Sequence, residues 1–181
     1  MYRNVIQTKK NYMKKIVLAY SGGLDTSYCL KKLSKEGNEV HAVNINTGGF
    51  TIIEIEKMKE KAFKLGAHSF ISINSVYSFY EKIIKFLIYG NVLRNNTYPL
   101  SVSSERTIQA IEIVKYANQH NASHIAHGST GAGNDQVRFD SIFQILAPNI
   151  KIVTPIRDSS LSRQNEIDYL LKSGVNISWD K

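Results

Sequence analysis

The sequence predicts an α/β protein: a doubly wound, parallel five-stranded sheet, strand order 3-2-1-4-5, with helices on both faces. Three observations carry this. Five short β-rich runs alternate with helical patterns, the signature of βαβ units. Two of those runs lead straight into glycine loops that open helices, as the strand ends of doubly wound sheets do. The 181 residues, 43% hydrophobic and 21% charged, suit one domain with a sizeable core rather than a disordered chain.

The strand runs are residues 15–20 (KIVLAY), 40–46 (VHAVNIN), 68–74 (HSFISIN), 123–127 (SHIAH) and 150–156 (IKIVTPI). The first helix, 26–36, stops at Gly37. In the second, Ile55, Met58, Ala62 and Leu65 recur at helical spacing and Gly66 follows. A third spans about 75–89, with Val76, Phe79, Tyr80, Ile83 and Leu87 on one side, read as core. A fourth spans about 104–120, a fifth 135–146 before Pro148, and a sixth 163–172 before Gly174. Residues 90–103 (GNVLRNNTYPLSVS) form the longest irregular stretch, and long loops are often functional.

Charge is uneven. Lys and Arg number 23 against 15 Asp and Glu, a net +8. Five of the basic residues and none of the acids lie in residues 1–15, which leaves +3 for the rest. Residues 1–12 are expected to be a flexible basic leader, residues 13–174 the folded domain, and 175–181 the start of a further domain. A basic leader can bind nucleic acid or membrane or simply be solvated. The solvated reading is preferred, with no nucleic-acid or membrane partner expected. The leader lacks the apolar stretch of a signal peptide, and no apolar run reaches the ~18–20 residues of a membrane helix. The single cysteine, Cys29, permits no intramolecular disulfide, which fits a cytoplasmic location, and is read as a buried thiol. The five histidines show no HExxH pattern and no cysteine joins them, so no metal ligands are assigned.

The first glycine loop, Tyr20-Ser21-Gly22-Gly23-Leu24-Asp25-Thr26-Ser27, follows a strand and opens a helix. The glycines let backbone turn and approach a ligand, the hydroxyls donate, and the helix N-terminus attracts anions. A phosphate or pyrophosphate is the natural guest. Asp25 would repel it unless a divalent cation such as Mg²⁺ lies between them or Asp25 points at the backbone. The plainer reading is a strand-to-helix turn with Asp25 as a helix-start charge. The second loop, His127 to Phe139 (HGSTGAGNDQVRF), repeats the order of strand, glycines and helix. In strand order 3-2-1-4-5 both loops meet at the switch-point crevice. Arg138 can hold a carboxylate or phosphate, Asp135 an ammonium group, and Thr130 and Asn134 can donate or accept. Alternatively, Asn134 caps the helix and the charges are surface groups.

With these residues in view, the sequence resembles argininosuccinate synthase. The matching strings are AYSGGLDTS (Ala19–Ser27), TYPLSVSSER (Thr97–Arg106) and HGSTGAGNDQVRFD (His127–Asp140). The first is shared by the ATP pyrophosphatases. The resemblance implies an adenine-nucleotide alpha-hydrolase-like fold and a C–N ligase that joins citrulline and aspartate. ATP is split to AMP and pyrophosphate through citrullyl-AMP. It implies ATP at Ala19, Tyr20, Ser21, Gly22, Gly23, Leu24, Asp25, Thr26 and Ser27, with Ile45 near the adenine and Gly128 at the phosphates. It implies citrulline at Tyr98, Ser103, Asn134 and Arg138, and aspartate at Thr130, Asn134 and Asp135. No general base is assigned. Family members are homotetramers more than twice this length, and the domain that carries most of that interface is not in this sequence. Two other readings stay open: a nucleotide-binding fragment of such an enzyme, and a pyrophosphate-loop enzyme acting on tRNA. The 130–138 string and the modest charge of the body count against the second.

Overall fold

The computed structural model describes residues 13–176. The expected leader, and residues 177–181 of the expected further domain, lie outside the described residues.

The central strand β1 (Lys15–Ala19) is followed by helix α1 (Leu24–Lys35), strand β2 (Glu39–Asn46), helix α2 (Ile52–Leu65) and strand β3 (Ser69–Asn74). Later come helix α5 (Ser101–Gln119), strand β6 (His124–Ala126), helix α6 (Asp135–Leu146), strand β7 (Lys151–Val153) and helix α8 (Arg163–Lys172). The sheet runs β3-β2-β1-β6-β7, with every pairing parallel. This is the expected 3-2-1-4-5 order, since β6 and β7 are the fourth and fifth of the strands read from the sequence.

The doubly wound topology follows from strands that are apolar on both faces. Along β1 successive side chains point to opposite sides. Ile16 and Leu18 enter one core with Leu30 and Leu33 of α1, Ala62 of α2 and Leu170 of α8. Val17 enters the other core with Ile113 of α5 and Phe139 and Phe143 of α6. Cys29 is buried in the first core, as expected, and burial pushes its thiol pKa up. Helix α2 is started by a capping box: the Glu54 N–H donates to Thr51 Oγ1 at 3.3 Å, and the Thr51 N–H to Glu54 Oε2 at 2.8 Å. Gly66, at φ 101°, ends it.

Three local expectations are corrected. The helix read over 75–89 is broken into α3 (Val76–Phe79), a π-helical turn (Tyr80–Ile84) and α4 (Lys85–Tyr89). Its apolar stripe is not a core face. Only Phe79 is buried; Ile83 and Leu87 are half-buried, and Val76 and Tyr80 are exposed. The stretch read as irregular contains an antiparallel hairpin, β4 (Leu93–Arg94) with β5 (Tyr98–Pro99), and α5 begins at its foot. Asn95 and Asn96 take the positive φ values of the turn, 53° and 57°, which asparagine tolerates. The fifth strand stops at Val153, because Pro155 opens a short helix, α7 (Pro155–Ser159).

Leu18 is fully buried at the centre of the sheet. Leu18→Ala is expected to lower the unfolding free energy by about 2–5 kcal/mol in urea denaturation. A loss below ~1 kcal/mol would contradict the assigned core.

Candidate functional site

The site begins where β1 ends. The Tyr20 N–H still pairs with the Val43 carbonyl of β2 at 2.9 Å, and the chain then turns. Gly22 sits at φ +75°, a conformation side chains disfavour, and a Cβ there would lie 3.0 Å from Met58 Cγ. Lys61 of α2 donates to the Gly22 carbonyl at 3.0 Å and ties the turn down. Ser21 Oγ and Thr26 Oγ1 share a hydrogen bond of 3.2 Å across the loop. Gly23 is the N-cap of α1, so no side chain caps that end. Among the described residues, the first N–H groups of α1 therefore face the loop without a side-chain acceptor. Ser27 is fully buried beneath it. The Tyr20 phenol is pushed up to about 12 by burial, with Ser27 acting in the opposite direction.

The second loop leaves β6. His127 is fully buried; its Nε2–H donates to Asp140 Oδ1 at 2.9 Å, and its Nδ1 accepts the Ser129 N–H at 3.2 Å. That pair of bonds fixes a neutral tautomer, and burial lowers the imidazole pKa further than Asp140 raises it. Asp140 also accepts from Arg157 of α7 at 2.6 Å. The base of the loop is thus fastened to α6 and α7. Gly128 comes next. A Cβ on it would stand 3.2 Å from the Asp25 carbonyl carbon and 3.2 Å from the Thr26 nitrogen. The two glycine loops are therefore in direct contact, with the start of α1 packed on Gly128.

Together the loops wall a cleft of about 1020 Å³ at the C-terminal ends of β1 and β6. Ala19, Tyr20, Ser21, Gly23, Leu24, Asp25 and Thr26 line it from the first loop. Gly128, Thr130, Asn134, Asp135 and Arg138 line it from the second. Ile45 joins from the end of β2, Tyr98 from the hairpin and Ser103 from α5. Of the residues singled out in the sequence, Gly22 and Ser27 do not reach the cleft wall.

Asp135 is already paired with two arginines. Asp135 Oδ2 accepts Arg106 Nε at 3.1 Å, and its Oδ1 accepts Arg138 NH1 at 2.7 Å. Burial alone would raise the Asp135 carboxyl pKa, but the hydrogen bonds and charges of Arg106 and Arg138 outweigh it and hold the pKa low. Arg106 NH1 donates to Gln109 Oε1 at 2.9 Å, and Glu105 accepts from both Gln109 and Thr47. Asn134 is the N-cap residue of α6 but its side chain makes no capping bond, contrary to the plainer sequence reading.

Residues 15–176 match the family model described as the arginosuccinate synthase N-terminal HUP domain. The chain belongs to the argininosuccinate synthase family. Argininosuccinate synthase of Rubrobacter xylanophilus is 41% identical over 164 residues, covering 91% of this chain and 40% of that protein. That of Lactiplantibacillus plantarum is 42% identical over 90% of this chain and 39% of its own length. The chain thus spans about two-fifths of the length of these curated relatives. A solved structure, described as a predicted subunit of tRNA methyltransferase from Methanocaldococcus jannaschii, shares the fold at TM-score 0.53. It is 20% identical and aligns with 87% of this chain and 74% of that one.

In this member of the argininosuccinate synthase family, Arg94, Glu105, Arg106, Gln109 and Arg163 also line the cleft, and sequence spacing alone assigns none of them. Arg106 closed one of the quoted strings, three residues after Ser103, so its signal was present but unassigned. Nor does the sequence mark Glu166 of α8, which is 3% exposed and carries an Oε2 with no hydrogen-bond partner among the described residues. Burial first, and then the neighbouring Asp25, push the Glu166 carboxyl up to about 7, against the pull of Arg163. A buried carboxyl thus stands behind the acidic residue of the first loop.

Two outcomes follow from this geometry. Gly128→Ala is expected to cost about 1–3 kcal/mol of stability in urea denaturation, because backbone rather than a flexible side-chain end must give way; an unchanged midpoint would contradict the loop contact. Glu166 has a raised pKa in the folded chain, so the fold binds its proton more tightly than the unfolded chain does. Its contribution to stability is complete below its ordinary value of 4.5 and is lost as pH rises through about 7. Glu166→Gln is expected to remove that slope and to raise the melting temperature at pH 8 by about 3–6 °C. A parallel pH profile for the variant and the parent would contradict the buried pair.

Proposed function

We propose that this chain forms the ATP-binding part of an argininosuccinate synthase, joining citrulline to aspartate with release of AMP and pyrophosphate. The observation that carries the reading is the contact of the two glycine loops at Gly128, which makes one cleft out of two anion-binding strand ends.

In this reading the adenine lies near Ile45, on the apolar end of β2. The phosphates cross the Ser21–Thr26 loop and the uncapped N-terminus of α1, with Gly128 alongside. Mg²⁺ is a hard ion that takes oxygen ligands, and Asp25 is the carboxylate that lines the cleft at this loop, so the donor chemistry suits it. When bound, it would neutralise phosphate charge. Citrulline is held by Tyr98, Ser103, Asn134 and Arg138. Its ureido oxygen attacks the α-phosphorus, and the bond to the β-phosphate oxygen breaks to release pyrophosphate. Aspartate is held by Thr130, Asn134 and Asp135. Its amine nitrogen then attacks the activated ureido carbon, and AMP leaves with the former ureido oxygen. The chain contributes positioning and charge stabilisation rather than a nucleophile. The paired Asp135, Arg106 and Arg138 suit zwitterions, since an incoming ammonium or carboxylate exchanges one charged partner for another.

A second reading rests on the span of the chain, two-fifths of its relatives: an ATP-binding module that does not turn over alone. Mixing the chain with ATP, citrulline and aspartate separates the two. Argininosuccinate, AMP and pyrophosphate in equal amounts support the ligase, whereas ATP binding without AMP release supports the module. Under either reading, Gly22→Ala is expected to weaken ATP binding by about tenfold or more in calorimetry, because Gly22 holds a left-handed turn beside Met58. Unchanged affinity would contradict the phosphate loop. Asp135→Ala is expected to leave ATP affinity within about threefold and to abolish the aspartate-dependent step. Collapse of ATP affinity would contradict its place in the aspartate site.

A further inference from the structure

At the opposite edge of the sheet, where the parallel strands begin, a second group of side chains converges. Glu39 and His41 both lie on β2, and His68 lies on the turn that leads into β3. His41 Nε2 is 2.8 Å from Glu39 Oε1, and His68 Nε2 is 3.8 Å from the same oxygen. One ligand atom from each of the three residues lies within 4.8 Å of the others. From this geometry we infer a divalent transition-metal site, with Zn²⁺ as the fitting ion, bound by Glu39 Oε1, His41 Nε2 and His68 Nε2 with water completing the shell.

The donor set is two imidazoles and one carboxylate, a combination that zinc accepts with an open fourth position. Zinc ligands at ~2.0–2.2 Å in a tetrahedron stand about 3.3 Å apart. The separations from Glu39 Oε1, 2.8 Å to His41 Nε2 and 3.8 Å to His68 Nε2, bracket that value, and the side chains must readjust for the ion to displace the Glu39–His41 hydrogen bond. His41 is held from behind. Its Nδ1 is 2.8 Å from Ser69 Oγ and 3.3 Å from the Tyr116 hydroxyl. Without metal, Nε2–H donates to Glu39 and the nearer hydroxyl, Ser69 Oγ–H, donates to Nδ1. With metal on Nε2, the proton moves to Nδ1, and a hydroxyl rotates to accept it. Such outer partners orient a metal-bound histidine. His68 is anchored through its backbone N–H to the Val40 carbonyl at 2.8 Å, while its side chain is 60% exposed and free to adjust.

One competitor stands nearby. Lys15 Nζ lies 3.6 Å from Glu39 Oε1, and its half-exposed, flexible side chain must swing away when the ion enters. The site lies a full strand from the nucleotide cleft, about 16 Å along five residues. It would pin the start of β2 to the turn before β3, and so act on stability rather than on ATP. Sequence spacing hides it, because the third ligand comes from the far end of α2. The group is independent of the ligase reading: metal binding can fail while ATP binding holds, and the reverse.

The test uses the metal-free chain, titrated with Zn²⁺ by calorimetry and with Co²⁺ by visible absorption. One ion per chain, the intense visible bands of a four-coordinate Co²⁺ site and a higher melting temperature reversed by chelator are expected. His68→Ala removes an exposed ligand without disturbing the core, and Glu39→Gln keeps the shape while losing the charge. Each is expected to weaken Zn²⁺ binding by about tenfold or more. His124→Ala, on β6 beyond the intervening β1, is expected to leave it unchanged. Absence of saturable binding, binding that survives both ligand substitutions, or loss of binding in His124→Ala would each overturn the site.

Discussion

A missing side chain at Gly128 governs the molecule's working end. Two parallel strands, β1 and β6, lie side by side, and their connections leave to opposite faces of the sheet. That topology opens a crevice but does not by itself close two loops onto each other. The closure comes from a glycine packed on the Asp25–Thr26 peptide, at a spacing where a Cβ would sit 3.2 Å from backbone atoms. Once the loops touch, one cleft sees the N-terminus of α1, the end of β2 and the start of α6 at the same time. His127 supports the contact from below, locked between Asp140 and the Ser129 N–H.

The electrostatics follow a consistent pattern of pairing. Asp135 is shared by Arg106 and Arg138, and Asp140 is shared by His127 and Arg157. Burying an unpaired charge is expensive, whereas exchanging one partner for another costs far less. A cleft built of such pairs can admit ligands that carry both signs without first exposing a bare charge. Glu166 departs from this pattern: it is buried behind Asp25 with a raised pKa, and one of its oxygens has no hydrogen-bond partner among the described residues. It places a protonatable group directly behind the acidic residue of the phosphate-type loop.

The overall fold was legible because its cause is local and repeated. Apolar runs bounded by Gly37, Gly66 and Gly174 mark strands and helices, and the two glycine strings mark the strand ends that meet. The cleft wall was legible for the same reason, since most of its residues sit in those strings. What escaped depends on long-range placement. Arg106 reaches Asp135 across 29 residues, and Glu166 reaches Asp25 from the last helix. Neither partnership leaves a spacing to read. Local misreadings had local causes: the Asn95–Asn96 pair signalled a hairpin turn, and Pro155 signalled the end of β7. The sequence carries no comparable mark for the π-helical turn at Tyr80–Ile84.

A crystal structure with a non-hydrolysable ATP analogue bears most directly on the shared cleft. Phosphate oxygens are expected within hydrogen-bond distance of backbone N–H groups from both 21–26 and 128–129, with the adenine against Ile45. A nucleotide whose phosphates touch only one of the two loops, or that lies outside the crevice between β1 and β6, would contradict it.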